Sequence, residues 1–510
     1  MKQSDTTSPP LAPLRLAPLG PLGWLVLVIL PMALVVLGVY AYVQQRLHGD
    51  IVTHMRSVGQ GGAAWGLYII FDIIFVGLAA TGIAIATGAH LFRLKDLRPL
   101  TRIAEFLAVL SLLLAGMCVM ADQGRPWAAL MNLPKYARTM SPFFGSFTLI
   151  VGVGVATSLV MLYLGGRGDA AWCARGTKGV TRWIYSIWAS GYRGTDRELH
   201  RHRQARFWLS LIFFPFIVIA YSTLGFVFGT QGGRPGWFGA LRAPSMLIVA
   251  GISGVGLVLA IAGLLHRYLG AHHAIPSRAF QRLGTTLMVL ISVFLYLLGV
   301  ETLTDRYAGH EPALRVSDAV LTGPYAPAFW TMLVIFLVAL AMLGRQFLLR
   351  KATIGGAAAA GLLVNVAVVL RNYVVVVPAQ THGHYLTYPT GFYAPSWIEI
   401  SVIAAILSIG VLAFVAFTRF FPIIPLHAYY GRHPSGAEPE PRRRVALRIS
   451  LTSVSLIGGL GLAAFGLAMS SRVGTLHYLD PLVPYSPVLF IVGLVMAIYS
   501  AAVYVIVPPG

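Results

Sequence analysis

The chain has 510 residues, 57% of them hydrophobic and 11% charged, whereas about a quarter of a soluble domain's residues are charged. Its net charge of +21 comes from arginines in the short segments between long apolar runs, which is a topology signal and not a nucleic-acid footprint. This excludes a soluble enzyme and a nucleic-acid-binding protein, and it indicates an all-α, polytopic transmembrane helical bundle.

In chain order, residues 1–21 are Pro-rich and are expected to form a disordered cytoplasmic tail. The apolar run after them is too long for a signal-peptide core and lacks a clear small-residue cleavage site, so it is expected to stay as the first span. Spans are predicted near 22–43, 64–90, 103–121, 143–165, 207–229, 244–265, 284–301, 327–344, 353–378, 397–418, 447–469 and 486–508. Each has about the 20 residues needed to cross the hydrocarbon core. With twelve spans, one side collects 27 Lys and Arg and the other 10, and Arg371 falls inside a span. The richer side, with both termini, is assigned to the cytoplasm. Ten spans form a core at 22–425; 426–446 is a cytoplasmic linker, and 447–510 a further two-span hairpin.

The loop at 166–206 carries nine basic residues and the stretch Trp183-Ile-Tyr-Ser-Ile-Trp188. That mixture suits an interfacial helix on the cytoplasmic leaflet, with a partner-docking surface as the alternative. The two cysteines, Cys118 and Cys173, lie far apart, so no Cys-ligated iron–sulfur cluster or zinc site is expected, and no other metal site is assigned.

Orientation gives each intramembrane polar group a depth. Trp65, Tyr68 and Asp72 are spaced i, i+3 and i+7 and are predicted to share one face of the second span, at its outer end. Asp122 and Arg125 follow the third span on that side, and Glu301 ends the seventh there. Asn365, Arg371, Asn372 and Tyr373 approach the same side in the ninth. In Tyr393-Ala-Pro-Ser-Trp-Ile-Glu399, Pro395 fits a helix run-in, Ser396 an N-cap and Trp397 a membrane boundary, which puts Glu399 just inside the tenth span. An uncompensated intramembrane charge costs about 2.5–3.5 kcal/mol or more, so this outer cluster reads as a functional site with Asp72 and Glu399 as its proton-active groups. Arg125 or Arg371 would hold a carboxylate in place there. The competing reading makes each acid a structural bridge to Arg125 or Arg371. On the cytoplasmic side only Glu105 and Arg345 stand out, near span ends where side chains snorkel. His90 and His266 sit at span ends and His382 and His384 in an outer loop, so paired mid-span haem ligands are not expected.

Three motifs carry a family resemblance. Trp65-Gly-Leu-Tyr-Ile-Ile-Phe-Asp72 followed by Gly77-Leu-Ala-Ala-Thr-Gly82 resembles the opening helix of the NrfD/polysulfide reductase membrane subunits, most closely the hydrogenase-associated branch. Asp122-Gln-Gly-Arg-Pro-Trp127 with Ser141-Pro142 resembles the next signature. Tyr393-Ala-Pro-Ser-Trp-Ile-Glu399 with Phe420-Phe-Pro422 resembles the late one, and the likeness covers about 60–425. It implies a haem-free, metal-free subunit of the bacterial cytoplasmic membrane that binds menaquinone or ubiquinone near the outer face. Trp and Tyr rings, among them Trp65, Tyr68, Tyr393 and Trp397, would pack that quinone, and Arg125 or Arg371 would stabilise its reduced anion. It implies a ferredoxin-like iron–sulfur partner and, behind it, a molybdopterin enzyme, nickel–iron hydrogenase or multihaem cytochrome. Proton translocation is compatible with that role. The last two spans exceed the usual family length. A twelve-span secondary transporter is the second reading, weakened by polar groups that avoid the midplane; a haem b anchor is the third.

Reporter fusions after Gly510 and within 379–392 test the topology: the first should report a cytoplasmic location and the second an external one, and equal results would overturn the span count.

Overall fold

The structure, a computed structural model, describes residues 20–57, 61–129, 131, 154–192, 194–268, 275–351, 353–385, 389–426 and 454–465, with residues 489, 493, 496 and 497. The predicted tail, the 426–446 linker, Ser141-Pro142 and most of the 447–510 hairpin lie outside these residues.

Twelve helices account for most of residues 21–420. They are α1 (Pro21–His48), α2 (Leu67–Leu91), α3 (Thr101–Asp122), α4 (Val155–Arg175), α5 (Gly179–Ala189) and α6 (Asp196–Gly229). They continue with α7 (Arg242–Tyr268), α8 (Ser277–Ala308), α9 (Glu311–Leu321), α10 (Ala326–Leu348), α11 (Ile354–Val376) and α12 (Trp397–Phe420). Helix is the expected outcome for such sequences in lipid, because each backbone N–H must find its acceptor within the segment. Among the described residues nine helices are long and apolar enough to cross a membrane, fewer than the twelve predicted. The fourth predicted span is described only from residue 154, where it continues as α4, and Val454–Phe465 is a shorter apolar helix at the eleventh. A Cβ on Gly459 in that helix would lie 2.7 Å from the Ala497 nitrogen, so these two predicted spans meet at small residues.

The connection at 166–206, in which a helix is expected around Trp183–Trp188, is mostly helical. Helix α4 runs on to Arg175, α5 follows, and α6 starts at Asp196. Thr195 caps α6 by accepting from the Glu198 N–H at 3.3 Å, and Glu198 reaches back to the Gly194 N–H at 3.1 Å. Apolarity alone marks only the membrane-buried part of such a helix, which is why its polar start was missed.

Helices α2, α3, α4 and α6 pack as one four-helix group, and α7, α8, α10 and α11 as another. They join where α2 and α6 meet α7, while α1 lies along α12 beside the first group. The crossing of α7 with α11 is set by glycines, since a Cβ on Gly361 would fall 2.3 Å from the Gly256 carbonyl oxygen. Backbones approach this closely only where neither residue has a side chain.

At the end of the bundle that holds Glu105, three ion pairs are buried. Arg102 pairs with Asp169 at 2.6 Å, Arg206 with Glu105 at 3.0 Å and Arg167 with Glu198 at 3.4 Å. Glu105 is therefore a buried, paired group and not the snorkelling one predicted, while Arg345 is exposed. The charges come from helices far apart in sequence, so pairing offsets a desolvation cost that neither side chain can avoid alone; removing one partner of such a pair costs about 3–5 kcal/mol. Arg102 also donates to the Pro422 carbonyl at 2.8 Å, and Asp169 accepts from the Leu426 N–H at 3.0 Å, which pins the chain leaving α12.

Gly361→Ala should lower stability by about 1–3 kcal/mol, because the added methyl must push the α7 backbone away. Gly344→Ala on α10, where a Cβ meets nothing within 4 Å, should not. Thermal unfolding of both variants in one detergent checks the contrast.

Candidate functional site

The opposite end of the bundle is organised around the start of α12. Ser396 is its N-cap, as predicted, and accepts from the Glu399 N–H at 3.4 Å. The Glu399 side chain turns instead to α2, which begins behind Gly66 and has no side-chain cap of its own. The Leu67 N–H donates to Glu399 Oε1 at 2.5 Å, and the Tyr393 hydroxyl donates to Glu399 Oε2. The Leu67 N–H also lies 3.1 Å from Tyr393 Oη. A carboxylate from one helix thus caps another, where free N–H groups and the helix dipole favour negative charge. Gly66 makes room for this contact: a Cβ there would lie 2.2 Å from Tyr393 Oη and 2.8 Å from Glu399 Oε1.

Both Glu399 and Tyr393 are 0% exposed. The competing reading of Glu399 as an arginine bridge therefore fails, since its partners are a backbone N–H and a phenol. Burial, and then the Glu399 charge, push the Tyr393 hydroxyl well above the usual tyrosine range, so it remains a neutral donor. Tyr393 is itself held at the backbone. Tyr373 donates to its carbonyl at 2.6 Å, and its N–H donates to the Tyr325 hydroxyl at 3.3 Å.

Gln380, in the turn after α11, holds the run-in to α2. Its Oε1 accepts from the Ala64 and Trp65 N–H groups at 2.9 and 3.0 Å, and its Nε2 donates to the Trp65 carbonyl at 2.9 Å. Trp65 stacks on Trp237 with ring centroids 5.4 Å apart and meets the edge of Phe228 at 5.7 Å. The predicted common face of Trp65, Tyr68 and Asp72 is corrected here. Trp65 precedes the helix, because Gly66 sits at φ −118° and ψ −138° and breaks the helical period. Tyr68 and Asp72, four residues apart within α2, do share a side.

Tyr68 is 0% exposed and donates to Gln45 Oε1 on α1 at 2.8 Å. Gln45 donates in turn to Asp50 at 2.9 Å and to the Ala121 carbonyl at 3.1 Å. Asp50 binds Arg46 at 2.7 Å and Arg56 at 2.6 Å, and Arg56 reaches Asp122 at 3.9 Å. Asp122 is buried and its Oδ1 has no hydrogen-bond partner among the described residues. Asp72 is half-buried, makes no hydrogen bond or ion pair among the described residues, and lies within reach of the Asp122 charge. One turn further along α2, an apolar notch is lined by Val76, Ala79, Ala80, Leu112, Phe216 and Tyr221.

Three predicted residues stand apart. Arg125 is exposed, with no side-chain partner among the described residues. Trp397 is 54% exposed and stacks on Tyr40 of α1 at 6.4 Å, on the outer surface of the bundle. Arg371 is buried in the second helix group, donating to Ser245 at 2.8 Å and Asn372 at 3.0 Å. Among the acids of the predicted cluster, Glu301 is the one whose charge reaches it. Glu301, which stood in the same predicted cluster, pairs with Arg242 at 3.2 Å.

Gln45, Asp50, Gln380 and Tyr325 were missed by sequence reasoning. None of the four left a local signal in the sequence. Among the described residues no three His, Cys, Asp or Glu side chains converge as metal ligands. His382 and His384 lie beside this end, and burial holds both below the ordinary histidine range. Protonating them costs the folded state, so their loop loses stability as pH falls below that range.

The family model for polysulphide reductase, NrfD, matches residues 56–383. Glu399 and Tyr393 lie beyond that match. The chain is 29% identical to a putative membrane subunit of dimethyl sulfoxide reductase from Halobacterium salinarum, over 79% of this chain and 91% of that protein. It is 24% identical to an Hdr-like menaquinol oxidoreductase integral membrane subunit of Archaeoglobus fulgidus, over 79% of this chain and 94% of that protein. It is 23% identical to a probable Ni/Fe-hydrogenase 2 b-type cytochrome subunit of Escherichia coli, over 72% of this chain and 84% of that protein. With apolar membrane-length helices and a family match across more than half of its length, the chain belongs to the NrfD polysulphide reductase family of membrane subunits.

Proposed function

We propose that the chain is a haem-free, quinone-interacting subunit of a multi-subunit oxidoreductase in the bacterial cytoplasmic membrane. It exchanges electrons between membrane quinone and an iron–sulfur partner docked at the Glu399 end, which the Lys and Arg distribution assigns to the outside. The observation that carries this reading is the buried Tyr393–Glu399 pair at the entrance of α2, in a chain whose relatives include a menaquinol oxidoreductase subunit. Quinone reduction takes up two electrons and two protons, and quinol oxidation releases them. Glu399, through Tyr393, and Asp72, bare of partners among the described residues, are the groups suited to pass those protons. The electrons come from the partner. Around this end Trp127, Phe238, Tyr385 and Phe392 are 75%, 62%, 57% and 46% exposed, the kind of aromatic surface a partner protein covers.

Asp72→Asn and Glu399→Gln should preserve co-purification of the complex, since glutamine still offers an oxygen to the Leu67 N–H. Quinone-dependent turnover should fall on the order of 10²–10⁴-fold where the carboxyl transfers the proton in the slow step. Full assembly with full activity in both variants would remove them from the chemistry, and lost assembly would make the Glu399 cap purely structural.

A second reading, a haem b protein, is favoured by the likeness to the Escherichia coli b-type cytochrome subunit. Two histidines of this chain, His90 and His266, sit in the last turns of α2 and α7. The haem-free reading expects no Soret band in the visible spectrum of the purified chain; a stoichiometric band would establish the second.

A further inference from the structure

Helix α5 has three faces. Tyr185, Trp188 and Ala189 turn into the protein. The Tyr185 hydroxyl donates to the carbonyl of Phe420, the last residue of α12. Trp188 stacks on Phe421 with centroids 4.2 Å apart and donates to the Tyr163 carbonyl at 3.1 Å. The Ala189 carbonyl accepts from Arg167 at 2.9 Å. The second face is apolar and open: Val180, Trp183, Ile184 and Ile187, spaced i, i+3, i+4 and i+7, are 73%, 65%, 50% and 54% exposed. Arg182 and Ser186 form the third, also exposed.

Cations surround the open strip. Arg175 and Lys178 precede it, Arg182 flanks it on the third face, and Arg197 and Arg203 stand on the start of α6; all are exposed. None of the five has an ion pair among the described residues, because the acids nearby, Asp169 and Glu198, are buried against Arg102 and Arg167. Depth is fixed by the contacts. Phe420 ends a membrane-length helix, so α5 lies at the level where hydrocarbon gives way to headgroups.

We propose that α5 is a binding site for anionic phospholipid in the leaflet it adjoins. Val180, Trp183, Ile184 and Ile187 enter between acyl chains, while Arg175, Lys178 and Arg182 hold headgroup phosphates. An acidic soluble protein would satisfy the cations but not an apolar strip at hydrocarbon depth. A lipid satisfies both at once.

The native cysteines Cys118 and Cys173 are 0% and 1% exposed, so a thiol-reactive spin label reports an introduced surface cysteine. The full-length chain is reconstituted in vesicles of phosphatidylcholine, alone or mixed with phosphatidylglycerol. A label at Ile184→Cys should collide more with oxygen than with a water-soluble nickel chelate, and one at Ser186→Cys the reverse. Spin-labelled phosphatidylglycerol should bind the chain in preference to phosphatidylcholine by several-fold. The preference should fall towards unity in a Lys178→Gln, Arg182→Gln double variant, with the depth at position 184 unchanged. Equal nickel access at 184 and 186 would overturn the insertion, and undiminished lipid preference in the double variant would overturn the headgroup site. Protection of position 184 that arises only when a soluble protein is added would assign the surface to a protein partner and overturn the proposal.

Discussion

The architecture depends on one hydrogen-bonded junction, the Glu399 carboxylate on the open N-terminus of α2. A helix that begins inside a bundle leaves N–H groups without acceptors, and no side chain near Gly66 fills that need. The missing acceptor comes from a helix more than 300 residues later in the chain. Tyr393 and Gln380 complete the enclosure, so the segment 64–67 is gripped from the turn after α11, from the run-in to α12 and from α12 itself. The aromatic stack of Trp65 and the placement of Tyr68 against α1 both follow from where that segment is held.

The two ends of the bundle meet the cost of buried charge differently. At the Glu105 end, carboxylates face guanidinium groups at ion-pair distance, and every pair ties separate helices together. Such pairs lock structure and leave little freedom for a proton to come or go. At the Glu399 end, Asp50 and Asp122 also meet arginines, but Glu399 bonds to neutral donors, and Asp72 bonds to nothing among the described residues. Neutral partners do not forbid the protonated acid, because a carboxylic acid can keep most of the same contacts. That difference separates a scaffold from a place where proton transfer is chemically accessible.

The sequence made the spans legible because membrane-length apolarity is a one-dimensional signal, and the Ser396 cap because its motif is local. It also pointed to Glu399, Tyr393, Tyr68 and Asp122 at one end, since a charge or phenol in hydrocarbon stands out. It misjudged partners. Arg371 was near the acids in depth, but depth says nothing of which side of a helix faces which neighbour, and the residue turned into the second helix group. Trp65 obeyed the spacing rule on paper and failed it in space, because Gly66 ends the period the rule assumes. Gln45, Asp50 and Gln380 were invisible because their importance lies in contacts that no local pattern encodes, most of them across long sequence separations.

The pairing of α1 with α12 has a consequence for biogenesis. Helix α1 is only 11% buried across its apolar window, and the helix it lies along is synthesised some 350 residues later. At about 5–20 residues per second, α1 waits on the order of tens of seconds for its mate. During that interval its apolar faces are satisfied by lipid or by the insertion machinery, and the Tyr68–Gln45 contact links its Gln45 end to α2. Closure of the bundle is therefore a late event, in which the arrival of α12 seats α1 and caps α2 in the same step.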